Sequence, residues 1–295
     1  QFSVRPKDKT QLLTTVHIAY IAGFVRRRNF MPENISNILF MVLSALLGAV
    51  FGSFLNVVIY RLPLGMSLAL PPSHCPVCGE KLKWYHNIPV LSYIFLRGKC
   101  AFCKTRISPR YIFVELLNCF LWLICYLLYG NTLFTFTAMI FLSVLICVFF
   151  IDSEHMIIPD SLNIIIALLG LILVLFGNNA LSASPLDRIL TAIGMLCFGL
   201  LLFFSFKFFA KKEAIGGGDI KFFAAAGLFL GWKLIFLAVF AASVAGCVFI
   251  LASRLSSRSK SPGKPYPFGP FLAVTSAISM FFGNTIINFY VSLFN

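Results

Sequence analysis

Two aspartates stand beside apolar segments of the kind that lie in a membrane. Asp152 closes the apolar run 141–151, and Asp219 follows three glycines and precedes another apolar run. A carboxylate at membrane depth costs about 2.5–3.5 kcal/mol on insertion scales, so we expect each acid to serve a function. Two facing carboxylates cannot both ionise easily and can share one proton. The ionised member can then take a proton from water while the other donates to a scissile carbonyl, which is aspartyl proteolysis.

The three glycines before the second aspartate predict a loop that another chain can approach. Gly216, Gly217 and Gly218 carry no side chains and permit backbone conformations that other residues resist. An extended substrate could therefore come close to Asp219, although a hinge would use the same residues. A phosphate-binding loop is disfavoured, because the GxxxxGK[ST] spacing is absent and Asp219 occupies the place of an anion.

Two further acids follow Asp152 in the sequence. Glu154 is expected in a solvated loop. Asp160 follows Pro159, a residue favoured in the first turn of a helix, so Asp160 is expected to interact with the positive end of the next helix. Asp152 is the deepest of the three acids and the hardest to explain by structure alone.

A second cluster is formed by cysteines in the longest polar segment. It contains two CxxC pairs that are 21 residues apart: Cys75, Cys78, Cys100 and Cys103. This spacing is typical of a zinc ribbon, and four thiolates suit tetrahedral structural zinc. Redox-active dithiols and cysteines without metal are the alternatives. His74 and His86 lie nearby and are expected to be surface residues rather than ligands. The apolar run 88–96 between the pairs is expected to pack on the membrane.

The elements that position these groups are apolar helices. The chain is 59% hydrophobic and 12% charged, whereas a soluble domain is about 25% charged, so we predict an all-α polytopic membrane protein. Eight spans are predicted: 37–60, 111–129, 132–151, 161–177, 188–210, 222–231, 234–253 and 268–292. The sixth is too short for a full crossing and is expected to be tilted, broken or partly re-entrant.

The basic residues predict the orientation of the spans. One side of the predicted topology has sixteen Lys and Arg in its loops, and the other, with the N-terminal region left out, has only Arg188 and Lys233. The basic side is therefore expected in the cytoplasm, together with Asp152 and Asp219. The net charge of +14 reflects this topology, and no nucleic-acid partner is predicted. The basic-side loops are 61–110, 152–160, 207–221 and 254–267.

The N-terminal region does not fit this topology. Three arginines at 26–28 precede the first span, although that end is expected outside. Met31 would make a natural start, and we expect residues 1–30 to be dispensable. Alternatively, 11–25 forms an interfacial or short spanning segment. The chain is divided into an extension, a first helix, a cysteine insertion and a peptidase bundle: 1–36, 37–60, 61–110 and 111–295.

Several motifs in order from 47 to 271 resemble one family. They are 51–61, both CxxC pairs with 97–99, 107–111, 114–117, 151–152 with 158–160, 216–221 and 267–270. In these motifs the chain resembles type IV prepilin peptidases, which are bifunctional leader peptidases and N-methyltransferases. Their G-x-G-D pattern places Gly217 at the variable position.

The resemblance implies an activity and a place for it. Asp152 and Asp219 would be the catalytic pair, cleaving prepilin or pseudopilin leaders after a glycine at the cytoplasmic face of the bacterial inner membrane. The new N-terminal residue would be methylated with S-adenosylmethionine as donor. Membrane lipid and the pilus or type II secretion machinery would be the partners. Gly98 and Lys99 are weak candidates for a role in this methyl transfer. No glycine-rich loop of the kind that binds S-adenosylmethionine is evident in the sequence.

Other interpretations stay open at this stage. Glu115 is a further acid at membrane depth, and an ion pair with Arg110 is expected. A proton-coupled or cation transporter could use Asp152 and Asp219 as relay carboxylates, which midplane positions on broken helices would favour. A zinc-ribbon scaffold would need the cysteines and not the carboxylates.

Overall fold

The computed structural model describes residues 35–176, 180–209, 216–255 and 266–294. The expectations for the N-terminal extension, Met31 included, fall outside these ranges. The described part is all-α and contains no strand, only two isolated bridges, His74–Lys81 and Lys99–Arg106. Its α-helices are α1 Ile35–Arg61, α2 Leu91–Phe95, α3 Arg110–Tyr129, α4 Leu133–His155, α5 Asp160–Leu175, α6 Pro185–Phe209, α7 Gly217–Leu230, α8 Trp232–Leu255 and α9 Gly269–Ser292.

The long helices confirm a multi-pass membrane protein. Six of them are long and apolar enough to cross a bilayer, namely α1, α3, α4, α6, α8 and α9. The remaining two, α5 and α7, have 16 and 14 residues. At about 1.5 Å per residue α7 reaches only about 21 Å, less than the roughly 30 Å hydrocarbon core. These eight helices correspond to the eight predicted spans, including the short sixth one, while the proposed domain division stays a prediction.

Two predicted boundaries are wrong near the aspartates. Helix α4 continues to His155, so Asp152 and Glu154 lie in its last turn and not in a loop. The helical hydrogen bonds of α4 continue as far as Met156, whose N–H donates to Asp152 O at 2.9 Å. The helix ends there because Met156 has a left-handed backbone conformation. Helix α7 begins at Gly217, earlier than the predicted span. The aspartates are therefore held by regular helices.

The two helices that carry the aspartates lie at the centre of the bundle. Helix α4 packs against α1, α3, α5 and α9, and α7 packs against α5, α6, α8 and α9. Phe141 of α4 and Phe229 of α7 are both fully buried, and their rings stack at 4.2 Å between centroids. Because both helices are surrounded by others, the positions of their ends are set by the whole bundle.

The first helix is joined closely to α3 through two glycines. A Cβ at Gly48 would lie 2.9 Å from Cα of Cys119, and one at Gly52 would lie 2.7 Å from Cα of Glu115. Asn118 Nδ2 donates to Gly48 O at 2.7 Å. This small-xxx-small spacing lets membrane helices approach at backbone distance. It fixes both ends of the cysteine insertion, which begins after α1 and ends at α3.

Candidate active site and cysteine cluster

Asp152 is held at the junction of α4 and α9. Its side chain is only 5% exposed, and its Oδ2 accepts a hydrogen bond from the backbone N–H of Gly269 at 2.7 Å. Gly269 is the first residue of α9, so the carboxylate lies at a helix N-terminus, where the unpaired N–H groups favour negative charge. This contact orients the acid and offsets part of the cost of burying it.

Asp219 is the third residue of α7 and is half-buried. Its Oδ2 accepts from the backbone N–H of Gly216 at 3.2 Å. None of the three glycines is left-handed, so the expected need for unusual conformations is wrong. The glycines leave space instead. A Cβ at Gly216 would meet Asp219 Oδ2 at 3.1 Å, a Cβ at Gly218 would meet Ile158 at 3.1 Å, and Gly217 faces open space.

The two carboxylates lie within electrostatic range of each other. Asp152 is in the last turn of α4 and Asp219 in the first turn of α7, so both acids lie at helix ends. The midplane position that would favour a transporter is therefore not observed. An acid pair at one end of the bundle, beside the open side of Gly217, suits a peptide that arrives from that end.

Two ion pairs flank this end of the bundle. Arg110 pairs with Glu154, and Lys221 Nζ contacts both Asp160 carboxylate oxygens at 2.7 and 2.8 Å. Glu154 is exposed to solvent as expected, with Arg110 as an additional partner. Asp160 does begin α5 as expected, with Lys221 as an additional partner. Exposed pairs of this type contribute about 0–1 kcal/mol each, so they shape the rim of the site more than they stabilise it.

Glu115 has a different partner from the expected one. Arg110 is engaged with Glu154, and Glu115 Oε2 instead accepts from the backbone N–H of Val90 at 2.7 Å. Glu115 is 8% exposed, and Val90 immediately precedes α2 in the cysteine insertion with φ +63°. The buried acid thus fastens the insertion to the membrane bundle.

Two residues near the aspartates were not predicted from the sequence as site residues. Asn163 of α5 donates from Nδ2 to Gly218 O at 3.3 Å and so holds the glycine segment. Gly269 holds Asp152, and a Cβ there would lie 2.7 Å from Asp152 Oδ2. The 267–270 motif drew attention to Gly269 only through family resemblance. For Asn163 the only signal was a polar residue inside an apolar span.

The four cysteines meet as predicted, with the geometry of a metal site. Their Sγ atoms lie within 4.8 Å of one another, and no histidine joins them among the described residues. Hydrogen bonding with the Thr105 side chain and backbone lowers the pKa of Cys103 to about 6. The pKa of Cys78 in the same cluster is raised to about 11, so Cys103 is the more readily ionised of these two thiols, and the thiolate is the form that binds metals. The donor set fits a closed tetrahedral zinc site, which has no open position for catalysis.

The two weak methylation candidates lie beside this cluster. Gly98 is buried with φ +66°, and a Cβ there would come within 3.0 Å of the Tyr93 ring. Packing therefore accounts for the glycine. Lys99 is exposed and lines a cavity of about 550 Å³ with its neighbours. The assignment of both residues to methyl transfer stays a prediction.

The fold and the site define a class: multi-pass helical membrane proteins with paired aspartates at one end of a central helix pair and a four-cysteine insertion. Residues 46–129 match the family model of the bacterial peptidase A24 N-terminal domain. Residues 139–251 match the type IV leader peptidase family. The chain belongs to the type IV leader peptidase family.

Curated relatives agree with this membership over most of the chain. A prepilin leader peptidase/N-methyltransferase from Stutzerimonas stutzeri is 36% identical over 287 residues, covering 87% of this chain and 96% of the relative. Proteins with the same name from Legionella pneumophila and Pseudomonas aeruginosa are each 34% identical, covering 90% and 93% of the relatives and 81% and 85% of this chain. No solved structure matches.

Proposed function

We propose that this protein cleaves the leader peptides of type IV prepilins or pseudopilins and methylates the new N-terminus. The observation that carries the peptidase is the acid pair, Asp152 and Asp219, at adjoining ends of the two central helices. The relatives that bear both activities in their name support the same reaction. Cleavage after a glycine follows from the family resemblance.

The acid pair performs the hydrolysis by moving protons. One carboxylate is ionised and takes a proton from a water molecule as the water oxygen attacks the scissile carbonyl carbon. The other is protonated and donates to the carbonyl oxygen. Collapse of the tetrahedral intermediate breaks the C–N bond, and a proton passes to the leaving amine. Gly269 keeps the Asp152 carboxylate oriented through its 2.7 Å hydrogen bond, so this group need not reorganise during the reaction.

The proposed orientation places the acid pair at the cytoplasmic face of the bacterial inner membrane. The Lys and Arg of the predicted loops support it, since sixteen lie on the side of Asp152 and Asp219. The prepilin leader would then reach the site from the cytoplasm. Pilus or type II secretion machinery would receive the processed product.

Methyl transfer and zinc complete the proposal. S-adenosylmethionine, when bound, supplies a methyl group to the amine that cleavage releases, and the amine loses a proton. The four cysteines would hold one zinc ion that folds the insertion. Because four thiolates leave no site for water, zinc takes no part in the hydrolysis.

The test is incubation of the purified, zinc-loaded protein with a prepilin that has a Gly–Phe junction. Mass spectrometry reports leader removal and the added methyl group separately. We expect Asp152→Asn and Asp219→Asn each to abolish cleavage, because an amide cannot take part in the proton exchange. Asp160→Asn is the matched control, since it removes a nearby carboxylate that is paired with Lys221.

The outcomes separate the two activities. A full-length prepilin after incubation with wild-type protein would refute the peptidase proposal. A shortened product without the methyl group would remove only the methyltransferase. Near-normal cleavage by either Asn variant would exclude that aspartate from the pair.

A further inference from the structure

The position of Asp219 depends on the helix that carries it. Asp152 is anchored by a different helix, since its Oδ2 accepts from Gly269 N at 2.7 Å. The hydrogen bond that Asp219 Oδ2 accepts, from Gly216 N at 3.2 Å, comes from the residue just before its own helix. This bond moves together with α7 and does not fix Asp219 relative to Asp152. The separation of the two carboxylates is therefore set by the contacts that hold the first turn of α7 against the bundle.

Helix α5 lies alongside α7 and contacts it near both ends. In the first turn of α5, Asn163 donates from Nδ2 to Gly218 O at 3.3 Å, and Gly218 is the second residue of α7. Further along both helices, a Cβ at Gly170 would lie 2.9 Å from the backbone carbonyl carbon of Leu228. The two helices therefore run in the same direction. The glycine contact sets how closely they approach, whereas the directional hydrogen bond specifies their offset at the end that carries Asp219.

The loop between α4 and α5 confines the same glycine from a second side. A Cβ at Gly218 would lie 3.1 Å from both Cβ and the carbonyl oxygen of Ile158, which is itself buried. Gly218 is thus held between the loop and Asn163. The nearby Lys221–Asp160 pair also joins α7 to α5, but both of its side chains are more than half exposed, so it holds the helices weakly.

Stability does not account for an asparagine at this place. Asn163 is 4% exposed, and its Oδ1 is buried with no partner among the described residues. An interhelical hydrogen bond from an asparagine stabilises a membrane bundle modestly, whereas a buried acceptor without a partner destabilises it by a similar amount. A leucine would avoid this cost, and Gly218 O would keep its donor within the helix. The benefit of Asn163 therefore lies in the position of α7.

We propose that Asn163 is a positioning residue of the peptidase, which through Gly218 holds Asp219 at the separation from Asp152 that lets the two carboxylates share a proton. Because its side chain is buried, Asn163 acts through the backbone of Gly218 and does not contact the substrate. The inference rests on the proposed peptidase activity of the acid pair. It assigns to Asn163 a share in the rate of the chemical step and none in the binding of the leader peptide.

Steady-state kinetics of leader removal by the full-length, zinc-loaded protein tests this role. Asn163→Leu removes the donor, and we expect kcat to fall at least about tenfold, since misplacement of a catalytic group by about 1 Å can cost about 100-fold. KM should stay within about threefold of wild type, because the groups that bind the leader are unchanged. Asn163→Ala adds no bulk and should show the same fall in kcat, which excludes crowding by leucine as the cause.

The matched control removes the same type of contact far from the aspartates. Asn118 is fully buried and donates from Nδ2 to Gly48 O at 2.7 Å, between α3 and α1. Its partner in α4, Ser143, lies nine residues before Asp152, which is about 13.5 Å along the helix. Asn118→Leu should lower the unfolding temperature in detergent and keep kcat within about threefold of wild type, since distant sites act independently. Asn163→Leu should keep the unfolding temperature and lower kcat.

Hydrogen–deuterium exchange of the same variants reports the position of α7 without depending on activity. Asn163→Leu should reduce the protection of 217–223, and Asn118→Leu should not. Wild-type kcat in both Asn163 variants would overturn the positioning role and leave the proposed function intact. So would a rise in KM at unchanged kcat, which would assign Asn163 to substrate binding, and so would a loss of protection throughout the bundle, which would make its role merely structural. No cleavage by the wild-type protein would instead refute the proposed function, and this inference with it.

Discussion

The backbone N–H of Gly269 donates to Oδ2 of Asp152 at 2.7 Å, which joins the first residue of α9 to the last turn of α4. The two residues are 117 positions apart in the chain. The contact makes the N-terminus of α9 part of the proposed active site. It also requires a residue without a side chain, because a Cβ at Gly269 would lie 2.8 Å from Cβ and Cγ of Asp152.

Replacing Gly269 with alanine should therefore displace the Asp152 carboxylate. We expect at least a tenfold loss of cleavage, since misplacement of a catalytic group by about 1 Å can cost about 100-fold. The measurement is the initial rate of leader removal at equal protein concentration. Gly194→Ala in α6 is the control, because nothing lies within 4 Å of a Cβ there. An equal rate for Gly269→Ala and wild type would contradict the proposed role of this contact.

The exposed Lys221–Asp160 ion pair allows a test of whether a charged pair at the rim of the site takes part in the reaction. Both side chains are more than half exposed, so Lys221→Met should change the unfolding free energy by less than about 1 kcal/mol. The cleavage rate should stay within about threefold of wild type for the same reason. Thermal unfolding in detergent and the cleavage assay measure the two quantities. A loss as large as that of Asp219→Asn would mean that Lys221 acts in the reaction.

Glu115 is expected to hold the insertion in place through Val90. Glu115→Leu would remove the acceptor and leave the half-buried Val90 N–H without this partner, which costs about 1 kcal/mol. Limited proteolysis should then cut the insertion faster, with the bundle helices still protected. Glu115→Gln keeps an acceptor oxygen and should behave like wild type. If the leucine variant resisted protease as well as the glutamine variant, this contact would not fasten the insertion.

Removal of the metal should expose the cysteine cluster to chemical labelling. The four Sγ atoms lie within 4.8 Å of one another, and metal-bound thiolates are protected, so alkylation of these cysteines should require a strong chelator. Peptide mapping by mass spectrometry identifies the labelled sites. Cys147 is buried in α4 and serves as an internal control that stays unlabelled in the folded bundle. Labelling of the cluster without chelator would argue that the cysteines hold no metal.

The sequence alone predicts the site residues that stand out by their type or their spacing. Asp152 and Asp219 are visible because charge beside an apolar run is expensive, and the four cysteines are visible because their spacing matches a metal site. Eight apolar segments are likewise readable, since a membrane span requires about 20 apolar residues. These features are local, so periodicity and composition reveal them.

Partners that lie far apart in the chain cannot be read in the same way. The sequence allows Arg110 to form an ion pair with either Glu154 or Glu115. The packing of the helices places Arg110 beside Glu154, while Glu115 contacts Val90. The glycines at 216–218 were expected to supply unusual conformations, yet the helix includes two of them, and of these only Gly218 is placed where a side chain would be crowded. Gly269 reveals its role only when α9 is placed against α4.

Arg188 is the clearest case of a residue whose role depends on the fold. In the sequence it is one of two basic residues predicted on the side opposite the aspartates, with the N-terminal region left out. In the structure it is fully buried, and its Nη1 donates to Phe229 O and lies 3.5 Å from Leu228 O. These carbonyls belong to the last turn of α7, where a helix has no backbone donors left. Arg188 thus caps the short helix that carries Asp219 at its other end.

Arg188→Leu should leave these carbonyls without their charged donor inside the bundle. We expect a loss of about 1.5–3 kcal/mol in unfolding free energy, seen as a lower unfolding temperature in detergent. Because α7 is too short to span the bilayer, loss of this cap should also make the position of α7, and of Asp219 at its other end, less well defined. The rate of leader cleavage should therefore fall. Lys233→Gln is the control, since Lys233 is exposed and follows α7 closely in the chain. An Arg188→Leu variant that unfolds at the wild-type temperature would show that α7 does not need this cap.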